Sequence, residues 1–271
     1  MTMTGPPTAA AASVAAGAGG GAGTPTAVRI DDVSKTYGDG RSAVLALDHV
    51  SLDIAEGEFM CILGASGCGK STLLNMIAGL YHITDGRIDT GGRRTALMFQ
   101  EPALFPWLTA SANVELAMTL RGEPRRAARE RAGELLDLVR LGGFTAKRPH
   151  ELSGGMRQRV ALARALAQDA DVLLMDEPFG ALDAMTRDLL HDELERVWSA
   201  TRLTVVFVTH NVREAVRLGD RITVMTSRPG RVAEIHDVTL ERPRRFESTE
   251  VSELTTEVTA RLRREVARHG R

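Results

Sequence analysis

Short apolar segments separated by helical periodicity define the chain from about residue 28 onward. Residues 28–33 and 50–54 alternate apolar and polar side chains, the pattern of half-buried strands. Four further runs are continuously apolar, as in strands buried on both faces: residues 59–63, 97–99, 172–175 and 203–208. Helical patterns separate these runs. The chain therefore predicts an α/β fold with a mostly parallel core sheet.

A different pattern occupies residues of about 101–150. This segment contains prolines and a helical repeat that includes Leu135 and Leu136. We expect that repeat to end at Gly142 and Gly143. The segment therefore predicts a helical insertion between strands of the core sheet.

Near the C-terminus, apolar residues recur on one face of a predicted helix: Val251, Leu254, Val258, Leu262 and Val266. We expect this helix to dock on the domain itself. The residues after Pro229 are too few for an added regulatory domain. We therefore interpret residues of about 232–271 as a short C-terminal extension.

Composition and charge are those of a globular protein. The chain has 271 residues, of which 43% are hydrophobic and 25% charged, enough for one large domain with an inserted subdomain. A net charge of −1 gives no general attraction to nucleic acid, so we expect no nucleic-acid partner. No apolar run approaches the ~20 residues of a membrane span. If the protein acts at a membrane, another chain supplies the span.

The first 26 residues are almost entirely Ala, Gly, Thr and Pro. We expect residues 1–26 to be a disordered tail and residues 27–271 to be the folded domain. No Lys or Arg precedes Arg29, which argues against a secretion signal.

Cys61 and Cys68 are the only cysteines, and they lack the neighbouring His or Cys residues of a metal site. A reducing compartment is therefore favoured.

A phosphate-loop pattern lies between a predicted strand and a predicted helix. It consists of a glycine, four free positions and Gly-Lys-Ser: Gly64, Ala65, Ser66, Gly67, Cys68, Gly69, Lys70 and Ser71. The glycines let backbone N–H groups surround an anion, and the following helix adds its positive end. Lys70 is expected to reach the β- and γ-phosphates, and Ser71 to ligate Mg²⁺. The alternative is a glycine-rich turn that fits the pattern by accident.

Asp176 and Glu177 follow the apolar run 172–175. A carboxylate at the end of a buried strand lies where open α/β sheets bind ligands. Asp176 is suited to hold Mg²⁺, directly or through water, and Glu177 to polarise an attacking water. The alternative is a buried strand that ends in an exposed acidic turn.

Ser153, Gly154 and Gly155 begin another predicted helix. Ser153 is a typical N-cap, and the glycines leave N–H groups free for a second anion contact. The alternative is an ordinary capped helix, which is common.

With these motifs in this order, the chain resembles the ATP-binding subunits of ABC transporters over about residues 28–230. Residues 64–71 match the Walker A loop, 172–176 the Walker B strand and 152–159 the ABC signature. Four further motifs match at single positions: the adenine-stacking aromatic at Tyr37, the Q-loop at Gln100, the D-loop at Asp183 and the switch histidine at His210. Met156 departs from the family, in which many members have Gln.

The resemblance implies an ABC-type nucleotide-binding fold that adds an antiparallel β subdomain and a helical subdomain, about residues 101–160 with the signature. It implies ATP and Mg²⁺ as ligands, with Ser71, Gln100 and Asp176 at the metal. Glu177, His210 and Lys70 would be catalytic. The nucleotide contacts implied by the family are Tyr37, residues 64–71, Thr72 and Gln100.

The resemblance also implies that two such domains pair head to tail, as a homodimer or heterodimer. Each phosphate loop would face the partner's signature residues Ser153, Gly154 and Gly155, with ATP between them. Asp183 would link the two sites. Three single-residue alternatives stay open: surface packing for Tyr37, a plain polar loop for Gln100 and a satisfied strand-end histidine for His210.

Residues 100–109, 177–183 and 227–232 resemble the importer branch for nitrate, sulfonates, taurine and bicarbonate. The resemblance implies a permease as the direct partner and a solute-binding protein that acts through the permease. It also implies a peripheral location on the cytoplasmic face of the membrane. Phe105, Trp107 and Leu108 are candidate permease contacts, with packing inside the subdomain as the alternative. The other open functions are a soluble ABC ATPase without a membrane partner and a binding module that does not hydrolyse ATP.

Overall fold

The computed structural model describes residues 24–269, so residues 1–23 of the tail predicted for residues 1–26 lie outside the described part, and the first strand begins at Thr26. Within it the chain forms nine strands and seven α-helices. The strands are β1 (Thr26–Tyr37), β2 (Val44–Ala55), β3 (Phe59–Leu63), β4 (Asp85–Asp89), β5 (Thr95–Met98), β6 (Val172–Asp176), β7 (Thr204–Thr209), β8 (Arg221–Met225) and β9 (Val232–Asp237). The helices are α1 (Lys70–Ile77), α2 (Ala110–Thr119), α3 (Arg125–Leu138), α4 (Gly154–Leu166), α5 (Ala184–Thr201), α6 (Val212–Leu218) and α7 (Thr249–His269).

Two sheets organise the fold. The core sheet has the order β5-β6-β7-β3-β8-β9 and is parallel except for β9, which pairs antiparallel with β8. The second sheet is antiparallel, with the order β2-β1-β4. The predicted α/β fold, mostly parallel core sheet and antiparallel β subdomain are confirmed.

The central strands are continuously apolar because both of their faces are covered. In β3, Phe59, Cys61 and Leu63 pack into a core shared with the helical insertion, α5 and α6. Met60 and Ile62 point to the other face, into a core shared with α1 and the antiparallel sheet. Parallel strands buried in this way carry no polar face, which explains the runs in the sequence.

The helical insertion forms as predicted, with α2 and α3 packed on α4. Two expected boundaries are wrong. The third helix ends at Leu138 and not at Gly142 and Gly143, because Arg140 adopts the left-handed conformation (φ 57°) in which helices commonly terminate. Residue Phe99 lies outside β5 and is exposed, since the strand ends at Met98.

The predicted C-terminal helix forms as α7, with Val251 and Val258 buried and Leu254 and Leu262 packed against the same core. The side chain of Val266 lies outside the described part. In residues 24–269 no helix has the length and apolar character required to traverse a bilayer.

Candidate active site

Four neighbouring strands of the core sheet present the candidate residues at one edge. The phosphate loop follows β3, Gln100 follows β5, Asp176 ends β6 and His210 follows β7. These strands are adjacent and parallel in the order β5-β6-β7-β3, so their carboxyl ends meet. This edge is where open α/β sheets bind ligands.

The loop between β3 and α1 is shaped for an anion. Gly67 and Gly69 adopt positive φ of 77° and 96°, which other residues rarely adopt. A Cβ on Gly69 would lie 2.6 Å from Leu47 Cδ2, so only glycine fits there. The Lys70 side chain is 4% exposed, and its Nζ donates to Gly64 O at 2.8 Å and Ala65 O at 3.1 Å. The ammonium therefore stays inside the loop, where a phosphate would lie.

Ser71 and Asp176 form a pair of oxygen donors beside the loop. The Ser71 hydroxyl donates to Asp176 Oδ1 at 2.9 Å. Burial raises the pKa of Asp176, and the neighbouring charge of Glu177 raises it further. A hydroxyl and a carboxylate suit Mg²⁺, which prefers a few protein oxygens with phosphate and water as the rest. No cluster of three or more His, Cys, Asp or Glu in residues 24–269 offers a complete protein cage.

Glu177 lies between the Lys70 ammonium and the His210 imidazole. Its Oε1 is 3.6 Å from Lys70 Nζ, and its Oε2 is 2.8 Å from His210 Nδ1. Because a carboxylate only accepts hydrogen bonds, Nδ1 of His210 carries the proton of this bond. The backbone of Glu177 has a φ of 43° and its N–H donates to Val208 O at 3.0 Å. A strained conformation fixed in this way is frequent at functional sites.

Gln100 has its backbone fixed and its side chain near Glu177. Its carbonyl accepts a hydrogen bond from Gln158 Nε2 at 2.8 Å. A Cβ on Gly180 would lie 3.7 Å from Gln100 Nε2 and 3.9 Å from Glu177 Oε2, so both side chains border Gly180. Among the hydrogen bonds of residues 24–269, none joins the Gln100 side chain to the metal candidates Ser71 and Asp176.

Tyr37 lies at the end of β1, next to the start of α1. Its hydroxyl donates to Thr72 Oγ1 at 3.3 Å. The ring makes an edge contact with Tyr81 (centroids 6.3 Å apart), and Lys35 Nζ lies 4.9 Å from its centroid. The ring is partly exposed beside the phosphate loop, which leaves a face available for a flat ligand.

The signature residues are placed on a separate element. Ser153 caps α4 and accepts a hydrogen bond from Met156 N–H at 3.3 Å, as predicted. Asp183 caps α5 by accepting from Thr186 N–H at 3.0 Å, and this bond lowers its pKa. In the described part of the chain, no hydrogen bond or ion pair connects Ser153 or Asp183 to the phosphate loop. Within residues 24–269, one copy of the chain thus brings together Lys70, Ser71, Asp176, Glu177 and His210, with Gln100 and Tyr37 at the border, whereas Ser153 and Asp183 lie apart from them.

A buried polar network behind His210 was not predicted. Thr209 donates to Glu214 Oε2 at 2.6 Å, and the other oxygen of Glu214 lies 3.7 Å from Arg187 Nε. Arg187 in turn donates to Leu182 O at 2.8 Å. The network therefore connects the residue before His210 to the residue before Asp183. Glu214 and Arg187 look like ordinary charged helix positions, and Thr209 looks like the end of an apolar strand, so the sequence carries no signal for the network.

Comparisons with known proteins agree with this geometry. A profile of the ABC transporter family matches residues 47–180. The taurine import ATP-binding protein TauB of Rhizobium johnstonii is 50% identical over 213 residues, covering 76% of this chain and 80% of that protein. The aliphatic sulfonates import ATP-binding protein SsuB of Bacillus thuringiensis is 40% identical over 238 residues, covering 85% and 94%.

Among solved structures, a dimeric ATP-binding cassette in a post-hydrolysis state, bound to ADP and Pi, is similar to the whole core. It has a TM-score of 0.70 and 35% identity over 79% of this chain and 100% of that chain. This chain therefore belongs to the ABC transporter family and is an ATP-binding ATPase.

Proposed function

We propose that this ATPase powers an importer of a small oxyanion, with a sulfonate such as taurine as the cargo class. The names of TauB and SsuB support this proposal, because both relatives are import proteins for such solutes. Nitrate and bicarbonate belong to the same group of small anions. The observation that carries the ATP hydrolysis on which the proposal rests is the assembly of Lys70, Ser71, Asp176, Glu177 and His210 at one sheet edge.

In this proposal the loop of residues 64–71 holds the phosphates of ATP and Tyr37 stacks on the adenine, with Thr72 and Gln100 bordering the nucleotide. Lys70 binds the β- and γ-phosphates with an ammonium that already points into the loop. Mg²⁺, held by Ser71, Asp176 and Gln100, would neutralise phosphate charge.

Glu177 orients the attacking water and accepts its proton. The water oxygen bonds to the γ-phosphorus, the bond to the β–γ bridging oxygen breaks, and ADP and phosphate leave. Without nucleotide the Glu177 carboxylate is held by Lys70 and His210. A triphosphate competes with Glu177 for Lys70 and His210, so its arrival frees the carboxylate for the water. His210 then steadies the γ-phosphate.

The site is completed by a second copy or a close homologue, as a homodimer or heterodimer. The signature residues Ser153, Gly154 and Gly155 lie at the N-terminus of α4, whose first N–H groups have no partner within the helix. They are suited to donate to the γ-phosphate of the partner's ATP. Asp183 connects the two sites. The dimeric cassette with ADP and Pi is a precedent for such pairing.

The permease contact is proposed at the start of the helical subdomain. Trp107 is 67% exposed, and its ring lies 5.4 Å from that of Phe105, also exposed. Leu108, the next residue, is partly buried. Because so much of Trp107 reaches solvent, permease binding is favoured over internal packing. The protein would thus be peripheral, on the cytoplasmic face, and reach a solute-binding protein only through the permease.

Proteoliposomes that contain the permease test this function. We expect taurine with its binding protein to stimulate phosphate release, and Glu177→Gln to lower turnover by about 10²–10⁴-fold while ATP still binds. Glu130→Gln, which changes an exposed carboxylate paired with Arg126, is the matched control. Normal turnover of Glu177→Gln removes this residue from the reaction. Failure to associate with any multi-span subunit would instead favour a soluble ABC ATPase.

A further inference from the structure

Residues 226–231 form a turn whose shape is fixed by its own hydrogen bonds. Thr226 N–H donates to Arg231 O at 2.9 Å, and Arg231 N–H donates to Thr226 Oγ1 at 3.0 Å. The Thr226 hydroxyl donates to Pro229 O at 2.9 Å. Arg228 therefore projects from a closed frame. We call residues 226–231 the brace turn.

The brace turn is attached to β2 through its last two residues. Gly230 N–H donates to Ala46 O at 2.9 Å, and Asp48 N–H donates to Gly230 O at 3.0 Å. Arg231 Nε also donates to Asp48 Oδ2 at 2.8 Å. The turn consequently has a fixed position relative to the antiparallel sheet.

The other side of the brace turn contacts the phosphate loop. A Cβ on Gly230 would come closer than 3.0 Å to Cys68 O, so the two backbones touch. Arg228 Nε donates to Gly67 O at 3.4 Å, and a Cβ on Gly67 would lie 2.8 Å from Arg228 Nη2. The turn and the loop are 161 residues apart in sequence at this contact.

The charge of Arg228 is not used elsewhere. Among residues 24–269, no carboxylate pairs with this guanidinium, and its hydrogen bond is the one to Gly67. The carbonyl that it contacts belongs to the peptide unit whose N–H is that of Cys68, within the loop. A donor on the carbonyl side restrains the orientation of that peptide unit, together with the hydrogen bond that the Cys68 N–H donates to Ala65 O at 3.3 Å.

We propose that Arg228 is a positioning residue for nucleotide, and that the brace turn holds the phosphate loop in the conformation that binds phosphates. This inference rests on the proposed role of residues 64–71 in binding ATP. If the loop also adopts conformations that do not bind, the apparent dissociation constant rises in proportion to the loss of the competent fraction. Both ADP and ATP use this loop, so both lose affinity equally.

Calorimetric titration of Arg228→Met and Arg228→Lys with Mg-ADP and with Mg-ATP tests the role of the side chain. Removal of one hydrogen bond predicts an increase in Kd of about three- to tenfold for Arg228→Met, equal for both nucleotides. Arg228→Lys retains a donor and a charge, so it recovers part of the affinity. Arg126→Ala, an exposed arginine on α3, is the control and leaves Kd unchanged.

Two results overturn the proposal. Unchanged affinity in Arg228→Met shows that the loop does not depend on this residue. A loss confined to ATP shows a direct contact with the γ-phosphate in place of positioning. Failure of the unsubstituted protein to bind either nucleotide is a different outcome, because it contradicts the proposed function itself.

A second pair of variants tests the backbone contact. Gly230→Ala directs a methyl group at Cys68 O, whereas Gly143→Ala has open space, and neither glycine has a positive φ. We expect Gly230→Ala to weaken ADP and ATP binding together, and Gly143→Ala to bind normally. If Gly230→Ala lowers the melting temperature but leaves the Kd for both nucleotides unchanged, the brace turn does not hold the phosphate loop in its binding conformation. If Gly230→Ala fails to fold, the titrations of the Arg228 variants test the proposal by themselves.

Discussion

Replacement of Gly155 by alanine should destabilise the protein through a contact within one chain. A Cβ on Gly155 would come closer than 3.0 Å to the Cγ2 methyl of Thr186. Thr186 lies in the first turn of α5, where its N–H binds the capping carboxylate of Asp183. The methyl group added at Gly155 therefore separates α4 from α5. Gly154 is the matched control, since its Cβ would lie 3.4 Å from Leu182 Cδ2, an ordinary contact.

The expected loss in the free energy of unfolding follows from a comparison of Gly155→Ala with Gly154→Ala. Alanine improves helix propensity by up to about 1 kcal/mol at either position, so this gain cancels in the comparison. Overpacking costs about 1–3 kcal/mol, and only Gly155→Ala incurs it. Thr186→Ser removes the methyl group, at a cost of about 0.8 kcal/mol or less by itself. The double variant should therefore recover most of the lost stability.

Urea unfolding of Gly155→Ala, Thr186→Ser, their combination and Gly154→Ala gives the double-mutant cycle. We expect a coupling energy of about 1–2 kcal/mol between Gly155 and Thr186. Because Gly154→Ala has no packing defect, ATPase assays of this variant then measure the effect of the added methyl group on the partner's nucleotide site. Equal stability of both glycine variants, or no recovery with Thr186→Ser, would refute the packing argument.

Three further outcomes are expected. Lys70→Ala should weaken ATP binding at least about tenfold in calorimetry, since it removes the buried ammonium from the loop; unchanged affinity argues against a phosphate contact. Arg244→Met should lower the free energy of unfolding by about 3 kcal/mol in urea while nucleotide affinity stays normal, because this buried guanidinium donates to carbonyls at the end of α6. Trp107→Ala should fold normally but lose solute-stimulated ATPase activity in proteoliposomes; retained stimulation favours a packing role.

Much of the sheet edge could be predicted from local sequence. Residues 59–63 were expected to form a strand, and β3 has these bounds. Continuous apolar runs indicate parallel strands, and parallel neighbours bring their carboxyl ends together. That is why Asp176 was expected near the loop, whereas His210, 34 positions further on, was expected there only from the family resemblance. Their distances to Lys70 and Glu177 depend on side-chain orientation, which the pattern does not give.

The contacts that local patterns missed are those between distant segments. Nothing around Arg228 indicates that its guanidinium meets Gly67, because the turn and the loop come together only when β3 and β8 pair. From the sequence, Glu214 is indistinguishable from an exposed polar residue of an amphipathic helix, although in the structure it is buried against Thr209. The end of α3 was misplaced for a similar reason, since Arg140 adopts a conformation that glycine usually supplies.

The central claim is that ATP joins two copies of this chain and that hydrolysis separates them. Sedimentation equilibrium of Glu177→Gln with and without Mg-ATP tests it most directly, with the Lys70→Ala/Glu177→Gln double variant as the control for nucleotide binding. The account predicts a dimer of Glu177→Gln with ATP, a monomer without it, and a monomer of the double variant in both conditions. A Glu177→Gln protein that remains monomeric at saturating ATP, with its permease present as well as without it, would contradict the account.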